Sequence, residues 1–197
     1  TPPDPEIPQD TEAAAFFDVD NTLIQGSSLI LLAQGLFKKR FITLSELAPA
    51  LRKQIRYRVS GSENADDIAE GREQALAVVK GKSVAELKQA CREIVDNRML
   101  EKSYADTIEL AAMHLAAGQQ VWLVSATPVQ IGQALAETLG FTGALGTVAE
   151  EKDGKFTGRL VGDILHGPGK KHAVAALAAL QQLDLSKCTA YSDSINA

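Results

Sequence analysis

The sequence predicts an α/β protein: a doubly wound parallel sheet with a small helical segment inserted after its first strand. Three observations carry this. Short apolar runs end in polar residues at Phe16-Phe17-Asp18, Val121–Ser125 and Tyr191-Ser192-Asp193. Runs of that kind are strands buried on both faces. Helical periodicity separates them, and strands alternating with helices build parallel sheets.

The elements follow in order. Thr1-Pro2-Pro3-Asp4-Pro5 is a Pro-rich opening, so residues 1–12 are expected to be an unfolded lead-in. Residues 13–17 form the first strand. Residues from about 28 to 116 read as helical, with Leu44, Leu47, Ala48 and Leu51, and again Leu87, Cys91, Ile94 and Val95, at helical spacing. Ser60-Gly61-Ser62 is the clearest loop, and Ser83 with Glu86 forms a capping box. A second strand is expected over 121–125. The helix after it has Pro128 at its start and Gly140 past its end. Asp153-Gly154 marks a hairpin within 144–162. Lys171–Leu183 is an Ala/Leu-rich helix, and 188–191 is the last strand. The domain division is therefore 13–27 with 106–197 as the core, and 28–105 as a helical cap. Such a sheet usually continues past its last strand, so missing C-terminal sequence is expected. The Thr start suggests the same of the N-terminus.

Composition limits the function. At 197 residues, 45% apolar and 23% charged, the chain can bury a full core. No apolar run approaches the ~20 residues of a membrane helix. The net charge of −5 argues against nucleic acid as a partner. Residues 38–58 go the other way, with Lys38, Lys39, Arg40, Arg52, Lys53, Arg56 and Arg58 against Glu46 alone. A solvated helix face or a peripheral contact with anionic lipid would each explain that stretch. Cys91 and Cys188 read as small buried hydrophobes, and their number does not make a disulfide framework. No secretory signal pattern is visible, and a cytoplasmic setting is expected.

Open α/β sheets bind ligands beyond the carboxyl ends of their strands. Three such ends carry polar residues here: Asp18 with Asp20, Ser125 with Thr127, and Asp193. Phosphoryl transfer needs a nucleophile, a proton donor and neutralising charge in one place. Asp18 suits the nucleophile. Two neighbouring carboxylates do not both ionise cheaply, so Asp20 suits the general acid and base. A cation must stand between a carboxylate and a phosphate dianion, and a lysine near the strand ends adds a point charge. His114, His166 and His172 read as structural or exposed, because this chemistry needs no histidine. Trp122 reads as core.

These strings, Asp18-Val19-Asp20-Asn21-Thr22-Leu23, Ser125, Gly167-Pro168-Gly169-Lys170 and Ser192-Asp193-Ser194-Ile195-Asn196, together resemble the four motifs of the haloacid dehalogenase superfamily. The likeness runs from Ala13 to Asn196 and is nearest to the phosphoserine-phosphatase-like branch with a small helical cap. It implies a Rossmann-like core and Mg²⁺-dependent hydrolysis of a small phosphorylated metabolite through an aspartyl-phosphate. It also implies a site made of Asp18, Asp20 and Lys170, with Lys171 the rival third-motif lysine. Thr22, Ser125, Ala126 and Asn196 would hold phosphate. Asp18, Asp193 and the carbonyl of Asp20 would hold Mg²⁺. Arg72 and the basic stretch around Arg52, Lys53 and Arg56 are the candidates for leaving-group contacts.

Two positions depart from the family pattern. The aspartate that normally follows the fourth motif's asparagine is Ala197 here. Its loss bears on Mg²⁺ affinity, and it leaves room for a phospho-ligand-binding domain that is catalytically impaired. Phosphoserine phosphatases also carry an acid soon after the first motif to pair with the substrate amine. Gln25-Gly26-Ser27-Ser28 has none, which argues against phosphoserine and admits a lysophospholipid- or glycerol-phosphate-type substrate. The oligomeric state is not readable from the sequence.

Overall fold

The computed structural model describes residues 7–43, 45–46 and 75–193. Among them a four-stranded sheet has the order β3-β2-β1-β6, every pairing parallel. Its strands are β1 (Ala14–Asp18), β2 (Gln120–Pro128), β3 (Gly143–Thr147) and β6 (Thr189–Tyr191). A separate antiparallel hairpin joins β4 (Ala149–Lys152) to β5 (Lys155–Leu160). The fully described helices are α1 (Ser28–Lys38), α2 (Val84–Ile94), α3 (Ala105–Ala116), α4 (Val129–Leu139) and α5 (Pro168–Gln181). A π-helical turn (Val95–Met99) and a 3-10 turn (Leu100–Lys102) lead from α2 toward α3.

The sheet is covered on both faces, as its uninterrupted apolar strands require. Ala15 and Phe17 of β1, with Val121 and Leu123 of β2, belong to the larger cluster with Ala111 of α3 and Ile131 and Leu135 of α4. Ala14, Phe16 and Val124 point the other way and meet Leu177 and Ala178 of α5. The two-residue alternation of a strand sends neighbouring side chains to opposite layers. Trp122 packs against the second cluster and is only partly buried.

Local signals in the sequence decide most element ends. Pro128 caps α4, and Gly140 follows it at φ 71°. Asp153 and Gly154 both have positive φ, at 52° and 75°, as a type I′ hairpin turn requires. Ser83 accepts the N–H of Glu86 at 3.3 Å, the forward half of the expected capping box.

Tertiary contacts decide the rest. The helical stretch read from about 28 to 116 is broken at Ser103–Tyr104. Ser103 bridges to Ile24, and the Tyr104 N–H donates to the Leu23 carbonyl. β2 outruns the expected 121–125 because Pro128 pairs with Thr147 across an irregular register. The last helix begins at Pro168, three residues before the expected Lys171. Residues 7–12, expected within an unfolded lead-in, are tied to the body. The Asp10 N–H donates to the Ala117 carbonyl, and Lys187 pairs with Asp10 and Glu12 at 3.1 and 2.7 Å. Cys91 is buried as expected, but Cys188 is only partly so.

The inserted helices rest on the core and on the hairpin. Gly81 donates to Phe156 O, Phe156 donates to Lys82 O, and Val84 donates to Gly154 O. These bonds make residues 81–84 a third strand-like edge of the hairpin. Leu44, Leu47, Ala48 and Leu51, expected to be helical, and the expected loop Ser60-Gly61-Ser62 lie outside the described residues, as do Arg52, Lys53, Arg56 and Arg58. No described helix is long and apolar enough to cross a membrane.

Candidate active site

The strand order reverses at β1, whose neighbours are β2 on one side and β6 on the other. A crevice beyond the carboxyl ends at such a switch point is where open α/β sheets bind ligands. Asp18 ends β1, Ser125 lies in β2, and Asp193 follows β6 by two residues. Adjacent parallel strands therefore bring Asp18 and Asp193 to one edge, with Phe17 opposite Tyr191.

The segment after β1 is a tight turn. The N–H groups of Leu23 and Ile24 both donate to the Val19 carbonyl, at 3.0 and 2.9 Å. Asn21 sits at φ 56°, in the left-handed region that asparagine tolerates better than most residues, and its Oδ1 accepts the Gly26 N–H at 2.9 Å. This turn lifts Asp20 beside Asp18 and sends the chain into α1.

Asp18 is largely enclosed. Its Oδ1 accepts the Val19 N–H at 2.8 Å and pairs with the Lys170 ammonium at 3.2 Å. Lys170 is the third residue of α5. Side chains in a helix lean toward its N-terminal end, here the end facing the strand tips. Lys171 is turned a further ~100° about the helix axis and is exposed. Oδ1 of Asp20 accepts both the N–H of Ser28, at 3.0 Å, and its hydroxyl.

Ser125 is buried. Its hydroxyl is hydrogen-bonded to the Thr127 hydroxyl at 2.9 Å, and its Oγ accepts the Thr127 N–H at 3.2 Å. Ala126 is exposed, and its carbonyl accepts the Thr147 hydroxyl at 2.7 Å. That anchor holds the β2–α4 turn in place. Gly146 is required beside it, because an added Cβ would fall 2.7 Å from the Val129 Cα. Thr22 Oγ1 accepts the Asp193 N–H at 2.9 Å, and the Thr22 carbonyl accepts the Thr107 hydroxyl at 2.8 Å. A hollow of about 260 Å³ lies between Phe17, Thr22, Thr107, Tyr191 and Asp193.

The structure thus gathers Asp18, Asp20, Lys170, Thr22, Ser125, Ala126 and Asp193 around the strand ends. Asn196, Ala197 and Arg72 lie outside the described residues. His166 and His172 are exposed, and His114 is buried. Sequence reasoning missed Ser28, Thr107 and Thr147 as supports. Thr107 and Thr147 bond partners far along the chain and Ser28 one eight residues back, and only the crowding of hydroxyls beside the motifs hinted at them.

The donor set suits a hard divalent cation. Among the described residues no three His, Cys, Asp or Glu side chains gather as a closed metal site. Mg²⁺ does not need one: it keeps several waters and takes one or two carboxylates. Asp18 and Asp193 offer those two, and the bonds to Val19 and Lys170 occupy only one Asp18 oxygen.

The fold and the site together define a haloacid dehalogenase-like hydrolase. The family model of that description matches residues 15–196, and the chain belongs to this family. Among curated relatives, a Mycobacterium tuberculosis protein named phosphoserine phosphatase SerB1 is 52% identical over 193 residues, 98% of this chain and 63% of that protein. This chain therefore spans under two thirds of that relative's length. A Bordetella pertussis protein of unknown function has the same fold with TM-score 0.78 and 26% identity, over 95% of this chain and 84% of that one. A phosphoserine phosphatase solved as a phospho-aspartyl intermediate analogue shares the fold at TM-score 0.58 and 20% identity, over 93% and 78%.

Proposed function

We propose that this chain hydrolyses small phosphate monoesters through a phosphoenzyme on Asp18. The observation that carries the reading is the enclosed Asp18–Lys170 pair at 3.2 Å, beside Asp20 and Asp193 at the switch point of the sheet. A carboxylate oxygen of Asp18 forms a bond to phosphorus as the bond to the leaving oxygen breaks. Asp20 gives that oxygen a proton. It then takes a proton from water, whose oxygen attacks phosphorus and breaks the bond to Asp18, releasing inorganic phosphate. Lys170 neutralises the phosphate oxygens. Asp18, Asp193 and the Asp20 carbonyl would hold Mg²⁺, which when bound offsets the charge repulsion between carboxylate and phosphate. The helices of residues 28–105 act as a cap that excludes water over a core of 13–27 and 106–197. Two unpaired cysteines support a reducing, cytoplasmic setting.

The leaving group is the finer question. The first turn of α1 holds no acid to pair with a substrate amine, so phosphoserine is not the expected main substrate, although relatives bear that name. A second reading, a lysophospholipid-type phosphate, is favoured by Leu29, Ile30 and Phe37. These lie exposed on the same helix that begins at Ser28 beside Asp20.

One experiment tests both: phosphate release from p-nitrophenyl phosphate, phosphoserine and lysophosphatidate, with and without Mg²⁺, for the wild type and Asp18→Asn. Activity that needs Mg²⁺ and disappears in Asp18→Asn is expected. Turnover surviving in that variant would remove the nucleophile assignment, and ligand binding without release would favour a binding domain. Phosphoserine as the best of the three substrates would reverse the ranking of leaving groups.

A further inference from the structure

His114 is 3% exposed, and both its ring nitrogens are engaged. Nδ1 lies 2.6 Å from Gln119 Oε1, and Nε2 lies 2.9 Å from the Tyr191 hydroxyl. Gln119 Nε2 donates to the Pro8 carbonyl at 2.9 Å, which leaves Oε1 to accept from the imidazole. The network thus assigns the proton of a neutral ring to Nδ1, and the Tyr191 hydroxyl donates to Nε2. The Tyr191 ring stacks on Phe17, centroids 4.6 Å apart and 18° between planes, and His114 meets both rings edge-on.

Burying an imidazole and an amide costs free energy that an apolar pair of the same size would not. What the polar pair adds is direction: a hydrogen bond fixes where a hydroxyl stands, and packing alone does not. The residue it fixes is in a weak place. β6 has three residues, pairs only with β1 among the described strands, and exposes Thr189 and Ala190. Asp193 follows two residues after it. The side-chain ties at this end of the chain include Tyr191 to His114 and the Asp193 N–H to Thr22. Both lead to α3, since Thr107 holds the Thr22 carbonyl. Phe17, under the Tyr191 ring, directly precedes Asp18.

We infer that α3 is the brace that sets the spacing of Asp193 from Asp18, with His114 acting through Tyr191 and Thr107 acting through Thr22 as positioning residues for the divalent cation. This rests on the hydrolase reading above. Neither residue touches the cation; each holds a backbone segment that carries a carboxylate. Partners of this kind are worth about 10–100-fold in metal affinity elsewhere.

The test is calorimetric titration of Mg²⁺ into the chain without substrate, at a temperature well below unfolding. Thermal midpoints are recorded in chelator beside it. Tyr191→Phe keeps the stacked ring and removes only the hydroxyl; Thr107→Val keeps the shape and removes its donor. Each is expected to weaken Mg²⁺ binding about ten-fold, with the same shift in the Mg²⁺ concentration that half-activates p-nitrophenyl phosphate hydrolysis. His114→Phe should do the same, and His114→Gln, whose amide reaches toward the Tyr191 hydroxyl, should recover most of the loss. Leu135→Ala, a cavity in the same core away from these bonds, should lower the midpoint and leave Mg²⁺ affinity unchanged. Lowered midpoints with Mg²⁺ affinity within two-fold of wild type in Tyr191→Phe and Thr107→Val would overturn the inference and leave the hydrolase reading standing. A wild-type chain that neither binds Mg²⁺ nor releases phosphate would overturn both.

Discussion

Ser28 gives its N–H and its hydroxyl to the same oxygen of Asp20. A neutral carboxyl has one oxygen that only accepts and one that carries the proton. The two donors mark Oδ1 as the accepting oxygen, so in the proposed reaction Oδ2 would be the one to deliver a proton. The consequence depends on the leaving group. An alkoxide must be protonated as it leaves, whereas p-nitrophenolate leaves unaided. Asp20→Asn should therefore lower kcat on an alkyl phosphate such as glycerol 3-phosphate by about 10²–10⁴. On p-nitrophenyl phosphate the phosphorylation step should suffer far less, as single-turnover kinetics would reveal. Equal loss of that step on both substrates would deny Asp20 the acid role. Cys91 shows environment acting on a residue outside the site. Burial pushes its thiol up to about 12, so the thiolate that reacts with disulfide reagents is scarce. Cys188 is partly exposed. Titration with an aromatic disulfide should find one fast thiol in the native chain and a second only after unfolding.

At the scale of elements, Glu46 joins the end of α1 to the segment before α2. Its carboxylate accepts the Thr43 N–H and hydroxyl, at 2.6 and 2.8 Å, and pairs with Lys82 at 3.0 Å. The Thr43 bonds first, then Lys82, lower its pKa from 4.5 to about 2. A carboxyl held below its unfolded value stabilises the fold above pH ~4.5, and that contribution is lost as pH falls toward 2. The side chain is a third exposed, so the effect is modest. The stability gap between wild type and Glu46→Gln should be widest above pH 5 and close as the solution is acidified, read from denaturant midpoints. A gap constant from pH 6 to pH 3 would mean the carboxylate's charge contributes nothing. Elements governed by their own residues were legible in the sequence. Asp153-Gly154 dictates its turn, Pro128 and Gly140 bound their helix, and buried strands show themselves as unbroken apolar runs. Asp18, Asp20 and Asp193 stood out as acids at the ends of such runs, and Lys170, with Lys171 as its rival, through the resemblance to the family's third motif. The break at Ser103 was not legible, since its cause is Ile24, far back in the chain. Thr107 and Thr147 were hidden for the same reason, and Ser28, eight residues from Asp20, because nothing local says which acceptor a hydroxyl will take. His114 was read as structural, and its bonds to Gln119 and Tyr191 could not be inferred from spacing.

Across the whole molecule, the carboxylates of the site come from opposite ends of the described chain. Thr22 and Asp193, which share a hydrogen bond, are 171 positions apart, and β6 pairs with β1 in the described sheet. Residues 81–84, which lead into α2, are fastened to the hairpin by backbone bonds. Long sequence separation slows folding, because loop closure must precede the contacts that reward it. It also sets a timetable on the ribosome. With synthesis at about 5–20 residues per second, roughly 10–30 s separate the emergence of Thr22 from that of Asp193. Throughout that interval the nascent chain has Asp18 and Asp20 but no Asp193 opposite them, and one edge of β1 awaits its last neighbour. A fragment caught in translation could fold much of its body and still lack the second carboxylate of the cation site. On the proposed reading, catalytic competence would not precede β6, so activity would report that synthesis has run at least as far as that strand.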